Sequence, residues 1–178
     1  ILKEEYGFSV TLLTDSTHDQ LLTALHTQRQ RLTERDNLLI YYAGHGRIDR
    51  DADRGFWLPV DADPSRRSNW LSNADVTDAL KAIRAKRVMV VADSCYSGTL
   101  TRSTPRGVKV EPRTQDFITR MLGKTSRTVL ASGGLEPVVD SGGSGHSVFA
   151  KAFLDALRDN KGVMDGTQLF AYVREQVR

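Results

Sequence analysis

Two side chains of this sequence have the chemistry of a nucleophile and its acid–base partner. Cys95 is the single cysteine among 178 residues and lies in Asp-Ser-Cys-Tyr-Ser-Gly at 93–98, while His45 lies between two glycines, Gly44 and Gly46. A cysteine thiolate attacks carbonyl carbons, a histidine transfers the proton, and neighbouring backbone amides stabilise the oxyanion. The alternative interpretation of a lone cysteine is a small buried core residue. The flanking serines and glycine favour the nucleophile.

Both residues directly follow segments that are predicted to be buried strands. The continuous apolar runs at 37–43 and 87–92 are typical of strands that are covered on both faces. Further strands are predicted at 8–13 and 128–132, because these segments are rich in β-branched and apolar residues. Residues 55–60 are predicted to be a short extended piece.

Segments with helical periodicity alternate with these strands. Apolar faces predict helices that include residues 21–32 (capped by Asp15 or Thr17), 76–83 (behind a capping box at 72–75), 149–157 and 169–177. The alternation predicts an α/β three-layer sandwich, with a mostly parallel sheet flanked by helices. Ligands bind beyond the carboxyl ends of the strands in such sheets, which is where His45 and Cys95 lie. Residues 1–6 are interpreted as the last turns of a helix.

The overall composition excludes several classes of protein. Hydrophobic residues make up 39% and charged residues 26%, which is close to globular averages and excludes a disordered or collagen-like chain. No apolar run reaches the ~18 residues of a membrane span, and a net charge of +3 is too small to indicate nucleic-acid binding. We expect one domain over 1–178 with no nucleic-acid or membrane partner. A reactive thiol suits a reducing compartment, so we expect a cytoplasmic protein.

Several motifs occur together along the chain. They are Tyr-Tyr-Ala-Gly-His-Gly at 41–46, Gly-Phe-Trp-Leu-Pro-Val-Asp-Ala-Asp at 55–63, Asp-Ser-Cys-Tyr-Ser-Gly at 93–98, Ala-Ser-Gly-Gly-Leu-Glu-Pro at 131–137 and Gly-Ser-Gly-His-Ser-Val-Phe at 143–149. This set closely resembles prokaryotic caspase-like proteases, the metacaspase and orthocaspase side of the caspase family. Cys95 follows His45 by fifty positions, which matches the spacing described for caspases.

The resemblance implies a cysteine endopeptidase of the caspase–hemoglobinase fold. It implies that Cys95 is the nucleophile, that His45 is the general acid and base, and that the amides of Gly46 and Cys95 form the oxyanion hole. It places Asp93, with Glu136 as a weaker candidate, in a pocket for a substrate Arg or Lys. Because a carboxylate binds a guanidinium through two charge-assisted hydrogen bonds, we expect Arg to be preferred over Lys. We also expect the family's first, central strand, with a third pocket acid, to be missing from this chain.

The segment 101–127 carries seven basic and two acidic residues, so its charge of +5 exceeds that of the whole chain. Pro105, Gly107 and Pro112 predict that most of it is a mobile loop. In the family this region is cleaved during maturation, so the resemblance implies a zymogen with candidate processing sites at Arg102, Arg106 and Arg113. We therefore expect a large-subunit-like part at 1–100, a processing loop at 101–127 and a small-subunit-like part at 128–178. An activating protease or an upstream regulatory domain is a further expected partner.

No organic cofactor and no metal is expected. Asp49, Asp51 and Asp53 alternate like the ligands of an EF-hand, but the glycine comes one position late and Val60 stands where the loop needs Glu. Many metacaspases need calcium, so a looser acidic calcium site stays open as an alternative.

Two other functions also stay open. The first is a catalytically silent caspase-like module for signalling or assembly, which the presence of both Cys95 and His45 disfavours. The second is a protease of the same clan that cleaves after Asp or Asn, for which an arginine in place of Asp93 would be expected. The favoured prediction is an endopeptidase that acts on proteins and peptides.

Overall fold

The computed structural model describes residues 1–94, 115–133 and 145–177. Their strands are β1 (Asn37–Ala43), β2 (His45–Asp49), β3 (Arg54–Leu58), β4 (Leu71–Ser72), β5 (Arg87–Asp93) and β6 (Ser126–Ala131). Their helices are α1 (His18–Arg31), α2 (Asn73–Lys81), α3 (Gln115–Gly123), α4 (Val148–Asp159) and α5 (Gly166–Val177), with a 3₁₀ turn at Arg67–Asn69.

The central sheet has the order β1-β5-β6, and both pairs of strands are parallel. Side chains of β1 alternate between its faces: Leu38 and Ile40 pack in the core that contains residues of α1 and α2, while Leu39 packs in the core that contains residues of α4 and α5. The strands are apolar because helices cover both faces of the sheet. The predicted α/β sandwich with a mostly parallel sheet is confirmed.

A second sheet, of order β2-β3-β4, is antiparallel. Its first two strands, β2 and β3, form a hairpin that follows β1 in the chain. The sequence predicted only an extended piece here, and the short strand β2 was missed. Asp49 ends β2 with a buried side chain that accepts hydrogen bonds from the amides of Asp51 and Ala52 and pairs with Arg67. This carboxylate therefore fixes the turn of the hairpin.

Side-chain caps set the starts of the first two helices, as predicted. Thr17, and not Asp15, caps α1 through a reciprocal capping box with Gln20. Ser72 caps α2, since its hydroxyl accepts a hydrogen bond from the amide of Asp75 at 3.0 Å. Such caps satisfy amides that have no partner within the helix.

The predicted strand at 8–13 is wrong, because none of its residues belongs to a strand. A strand needs the backbone of a neighbour, and within the described part of the chain β1 pairs with β5 alone. Val10 and Leu12 consequently stay 52% and 81% exposed. Residues 1–6 form a turn, in which the amide of Glu5 donates to the carbonyl of Ile1 at 2.8 Å.

The basic segment is only partly what the sequence predicted. Helix α3 and the first two residues of β6 lie inside it, so residues 115–123 and 126–127 are not part of a loop. Apolar residues recur there at helical spacing, at 117, 118, 121 and 122. Residues 101–114 lie outside the described residues. None of the helices in the described ranges is long and apolar enough to cross a membrane.

Candidate active site at the carboxyl edge of the sheet

The parallel pairing of β1 with β5 brings two sequence motifs to one edge of the sheet. Its register offset is fifty residues from the first pair, Asn37 with Arg87, to the last, Ala43 with Asp93. The amide of Gly44 also donates to the carbonyl of Asp93 at 3.4 Å, one step beyond that pair. His45 therefore lies two residues after Ala43, the last residue of β1 that pairs with β5. Cys95 stands at the same distance in sequence from Asp93 but lies outside the described residues.

His45 is held by the hairpin that follows β1. It is the first residue of β2 and pairs with Leu58 of β3. The hydroxyl of Tyr42 donates to the carbonyl of His45 at 2.8 Å and lies 3.5 Å from the carbonyl of Leu58. The ring of Tyr42 stacks on Trp57, with centroids 4.1 Å apart and planes 4° apart. Two contacts of one tyrosine thus fix the backbone that carries the histidine.

Burial raises the pKa of Tyr42 to about 12, although the contact with Leu58 lowers it slightly. The hydroxyl consequently keeps its proton at any physiological pH. It remains a donor to the backbone of His45, which is exposed to solvent at the end of the sheet.

The absence of a side chain at Gly44 leaves room for the ring of Tyr42. A Cβ atom at Gly44 would lie 2.8 Å from the hydroxyl oxygen of Tyr42 and 2.9 Å from its Cζ atom. A side-chain tip can often shift to relieve such a contact, but this ring is stacked on Trp57 and bonded to His45. The glycine before the histidine is thus needed for close approach of a side chain.

Asp93 ends β5 and is held by two hydroxyl groups. The hydroxyl of Tyr41 donates to its Oδ2 atom at 3.2 Å, and the hydroxyl of Ser147 donates to the same atom at 2.5 Å. Ser147 is also the cap of α4, where its oxygen accepts from the amide of Ala150 at 2.9 Å. Burial, followed by the charge and hydrogen bond of Asp93, raises the pKa of Tyr41 well above its usual value.

The structure brings His45, Gly46 and Asp93 to the same edge of the sheet. The other predicted site residues lie outside the described residues: Cys95, Glu136 and the processing-site candidates Arg102, Arg106 and Arg113. Sequence reasoning missed Tyr41, Tyr42 and Ser147. A signal existed for Ser147, because a serine directly before an apolar helical face is typical of an N-cap. The tyrosines gave no such signal, because the hydrogen bond of Tyr41 depends on the register of β1 with β5 and those of Tyr42 depend on the hairpin that follows β1.

The alternating aspartates at 49, 51 and 53 are not gathered into a metal-binding group within the described ranges. The carboxylate of Asp49 is occupied by Arg67 and two backbone amides. Among the described residues, no group of three or more His, Cys, Asp or Glu side chains could hold a metal ion. An engaged carboxylate is a poor ligand for calcium, which needs several free oxygen atoms.

Comparison with known proteins defines the class. A sequence model described as the caspase domain, of a peptidase family, matches residues 1–178. The chain belongs to the caspase domain family, and it carries a caspase-like peptidase domain.

The same class of fold occurs in a solved structure. The crystal structure of protein GSU0716 from Geobacter sulfurreducens is similar to this chain with a TM-score of 0.66. The similarity covers 99% of this chain and 76% of that chain at 19% sequence identity, which shows the fold alone. A search of curated proteins found no match.

Proposed function

We propose that this domain is a cysteine endopeptidase that cleaves peptide bonds after Arg, and less well after Lys. His45 accepts the proton of the Cys95 thiol, and the thiolate attacks the scissile carbonyl. The C–N bond then breaks as the thioester forms, and His45 gives the proton to the leaving amine. Water, with His45 as its base, then hydrolyses the thioester and regenerates the thiol. The amides of Gly46 and Cys95 are the proposed donors to the oxyanion.

One observation carries this proposal: the parallel register of β1 and β5. Its offset of fifty residues equals the separation of His45 and Cys95 in sequence. Each of the two residues therefore follows a paired residue, Ala43 or Asp93, by two positions. Such an edge of a parallel sheet is where ligands bind in α/β folds.

The proposed preference for a basic P1 residue, the residue before the cleaved bond, rests on Asp93. This carboxylate is partly accessible, and its contacts in the described part of the chain are neutral hydroxyl groups rather than a cation. Its charge is therefore not neutralised by an arginine or lysine of the described ranges. Such a carboxylate at a ligand-binding edge favours a substrate cation. Glu136 is the proposed second acid.

The experiment is a panel of peptides that differ only in the P1 residue: Arg, Lys, Asp and Asn. We expect wild-type protein to cleave the Arg peptide fastest and the Lys peptide more slowly, and we expect Cys95→Ala to cleave neither. Equal turnover by Cys95→Ala would refute the nucleophile. A preference for Asp or Asn would support the alternative specificity, and inactivity of the chain towards all peptides even after cleavage in the basic segment would support the silent module.

We further propose that the domain is a zymogen that is processed in the basic segment, after Arg102, Arg106 or Arg113. An enzyme specific for Arg would recognise these residues as substrate. Mass spectrometry of the active protein should find new termini at one or more of these positions, and Cys95→Ala should remain intact when expressed alone. Full activity of an uncleaved chain would refute maturation by processing.

A further inference from the structure

Asp93 is bonded in an asymmetric way. Both hydroxyl donors, Tyr41 and Ser147, contact the Oδ2 atom. Within the described ranges, no hydrogen bond or ion pair involves the Oδ1 atom. One oxygen of the carboxylate thus accepts two hydrogen bonds, and the other accepts none from the residues that the structure describes.

The two donors come from different elements, but both lie on the face of the sheet that α4 covers. Tyr41 lies on β1, and its ring contacts Phe153 of α4 with centroids 5.7 Å apart. Ser147 precedes the first turn of that helix. The carboxylate of Asp93 is therefore held between a strand and the start of α4, and its rotation would break two hydrogen bonds.

The hydrogen-bond roles of Ser147 are determined by its one proton. Its oxygen accepts from the amide of Ala150, so its proton is available to Asp93, which as a carboxylate only accepts. The same hydroxyl therefore caps the start of α4 and orients the acid. The amino end of a helix also favours a nearby negative charge.

We propose that Tyr41 and Ser147 are positioning residues for substrate specificity: their hydroxyls fix Oδ2 of Asp93, so that Oδ1 is presented to the cationic P1 side chain. This rests on the proposed function, in which Asp93 binds that side chain. The contact of Asp93 with the substrate is then made through one oxygen. The bidentate pairing expected from sequence is not available from this residue alone.

The test compares two peptides that differ only in P1 charge, one with Arg and one with citrulline, its uncharged near-isostere. The measured quantity is the ratio of kcat/KM for Arg to that for citrulline. In Tyr41→Phe and in Ser147→Ala we expect this ratio to fall at least about 10-fold, because loss of one hydrogen bond to a charged group corresponds to about 10- to 150-fold. The fall should arise from a higher KM for the Arg peptide, with kcat near the wild-type value.

Matched variants separate positioning from a loss of stability. Ser147→Thr keeps the hydroxyl and should keep the ratio. Ser72→Ala removes the equivalent cap from α2, and Tyr172→Phe removes another tyrosine hydrogen bond to an aspartate, that of Asp159 at 2.6 Å. Both should leave the ratio unchanged. If Ser147→Ala does not fold, Tyr41→Phe, which lacks a single oxygen, still decides the proposal.

The outcomes distinguish this proposal from the function on which it rests. If Asp93→Asn loses the discrimination while Tyr41→Phe and Ser147→Ala retain it, the positioning role is refuted and the specificity pocket stands. Equal cleavage of both peptides by the wild-type protein would refute the pocket and the positioning role together. Equal losses for both peptides in Tyr41→Phe would show a structural effect only, which also refutes it.

Discussion

Tyr41 and Tyr42 are consecutive residues of β1, yet their hydroxyls hold different groups on opposite faces of the sheet. Tyr42 stacks on Trp57 and donates to the backbone of His45. Tyr41 contacts Phe153 and donates to the carboxylate of Asp93. Because successive side chains of a strand point to opposite faces, one dipeptide supports both proposed parts of the site.

His45 and Asp93 are supported by different kinds of side chain, and we call their surroundings the histidine side and the aspartate side. The histidine side is an aromatic stack with planes 4° apart, closed by Gly44, which has no Cβ to clash. The aspartate side is a set of hydroxyl groups at the start of α4, and it is open enough for Tyr41 to be 37% exposed. A stacked support suits a group that must keep one geometry. A hydroxyl support suits an anion that has to meet a cation from solvent.

The largest expected effect is that of His45→Ala, compared with Asp93→Asn. Loss of the acid–base group should lower kcat by about 100- to 10,000-fold for Arg and citrulline peptides alike. Asp93→Asn should lower kcat/KM for the Arg peptide by about 100-fold and leave the citrulline peptide nearly unaffected. Steady-state kinetics on both peptides measures this. If Asp93→Asn lowered both equally, the division of roles would be wrong.

Gly44→Ala tests the close packing on the histidine side. The new Cβ would displace the ring of Tyr42, so the backbone of His45 should shift. We expect kcat to fall about 10- to 30-fold for both peptides, because small misplacements of a catalytic group are costly. The control is Gly123→Ala, since a Cβ there meets no atom within 4 Å. Wild-type kcat in Gly44→Ala would contradict the proposed constraint.

Tyr42→Phe should have a smaller effect of the same kind. It keeps the stack on Trp57 and removes the hydrogen bond to His45, which is worth about 1 kcal/mol. We expect kcat to fall about 3- to 6-fold with an unchanged ratio of Arg to citrulline cleavage. Tyr172→Phe serves as the control. A loss of activity confined to the Arg peptide would contradict this, because it would show that Tyr42 acts on Asp93 and not on His45.

The sequence predicted the main strands better than it predicted the contacts of individual side chains. The apolar runs of β1 and β5 predicted both strands, but only β5 is buried, while the side chains of β1 are partly or fully exposed. The glycines beside His45 and Cys95 indicated a candidate site at the ends of these strands. The failed strand at 8–13 shows the limit of local pattern, because a strand forms only beside another. Tyr41 and Ser147 could not be assigned to Asp93, because their meeting depends on the register of β1 with β5 and on the docking of α4.

The smallest expected effect is on stability at high pH. The pKa of Tyr42 is about 12 in the folded state, above the usual value near 10 expected on unfolding. Its contribution is therefore fully present below pH 10 and is lost as the pH rises towards 12, by about 1 kcal/mol at pH 11. Urea unfolding at pH 9 and pH 11 should show a larger loss for wild type than for Tyr42→Phe. Parallel losses would contradict the buried, protonated hydroxyl.

The nucleophile and the specificity pocket are tested together by covalent labelling with a peptidyl chloromethyl ketone that carries Arg at P1. We expect one label to attach to Cys95, found by peptide mapping, and the citrulline analogue to label far more slowly. We also expect His45→Ala and Asp93→Asn to slow labelling by the Arg reagent. Labelling at equal rates by the two reagents, or modification of a residue other than Cys95, would contradict an Arg-directed cysteine nucleophile at this edge of the sheet.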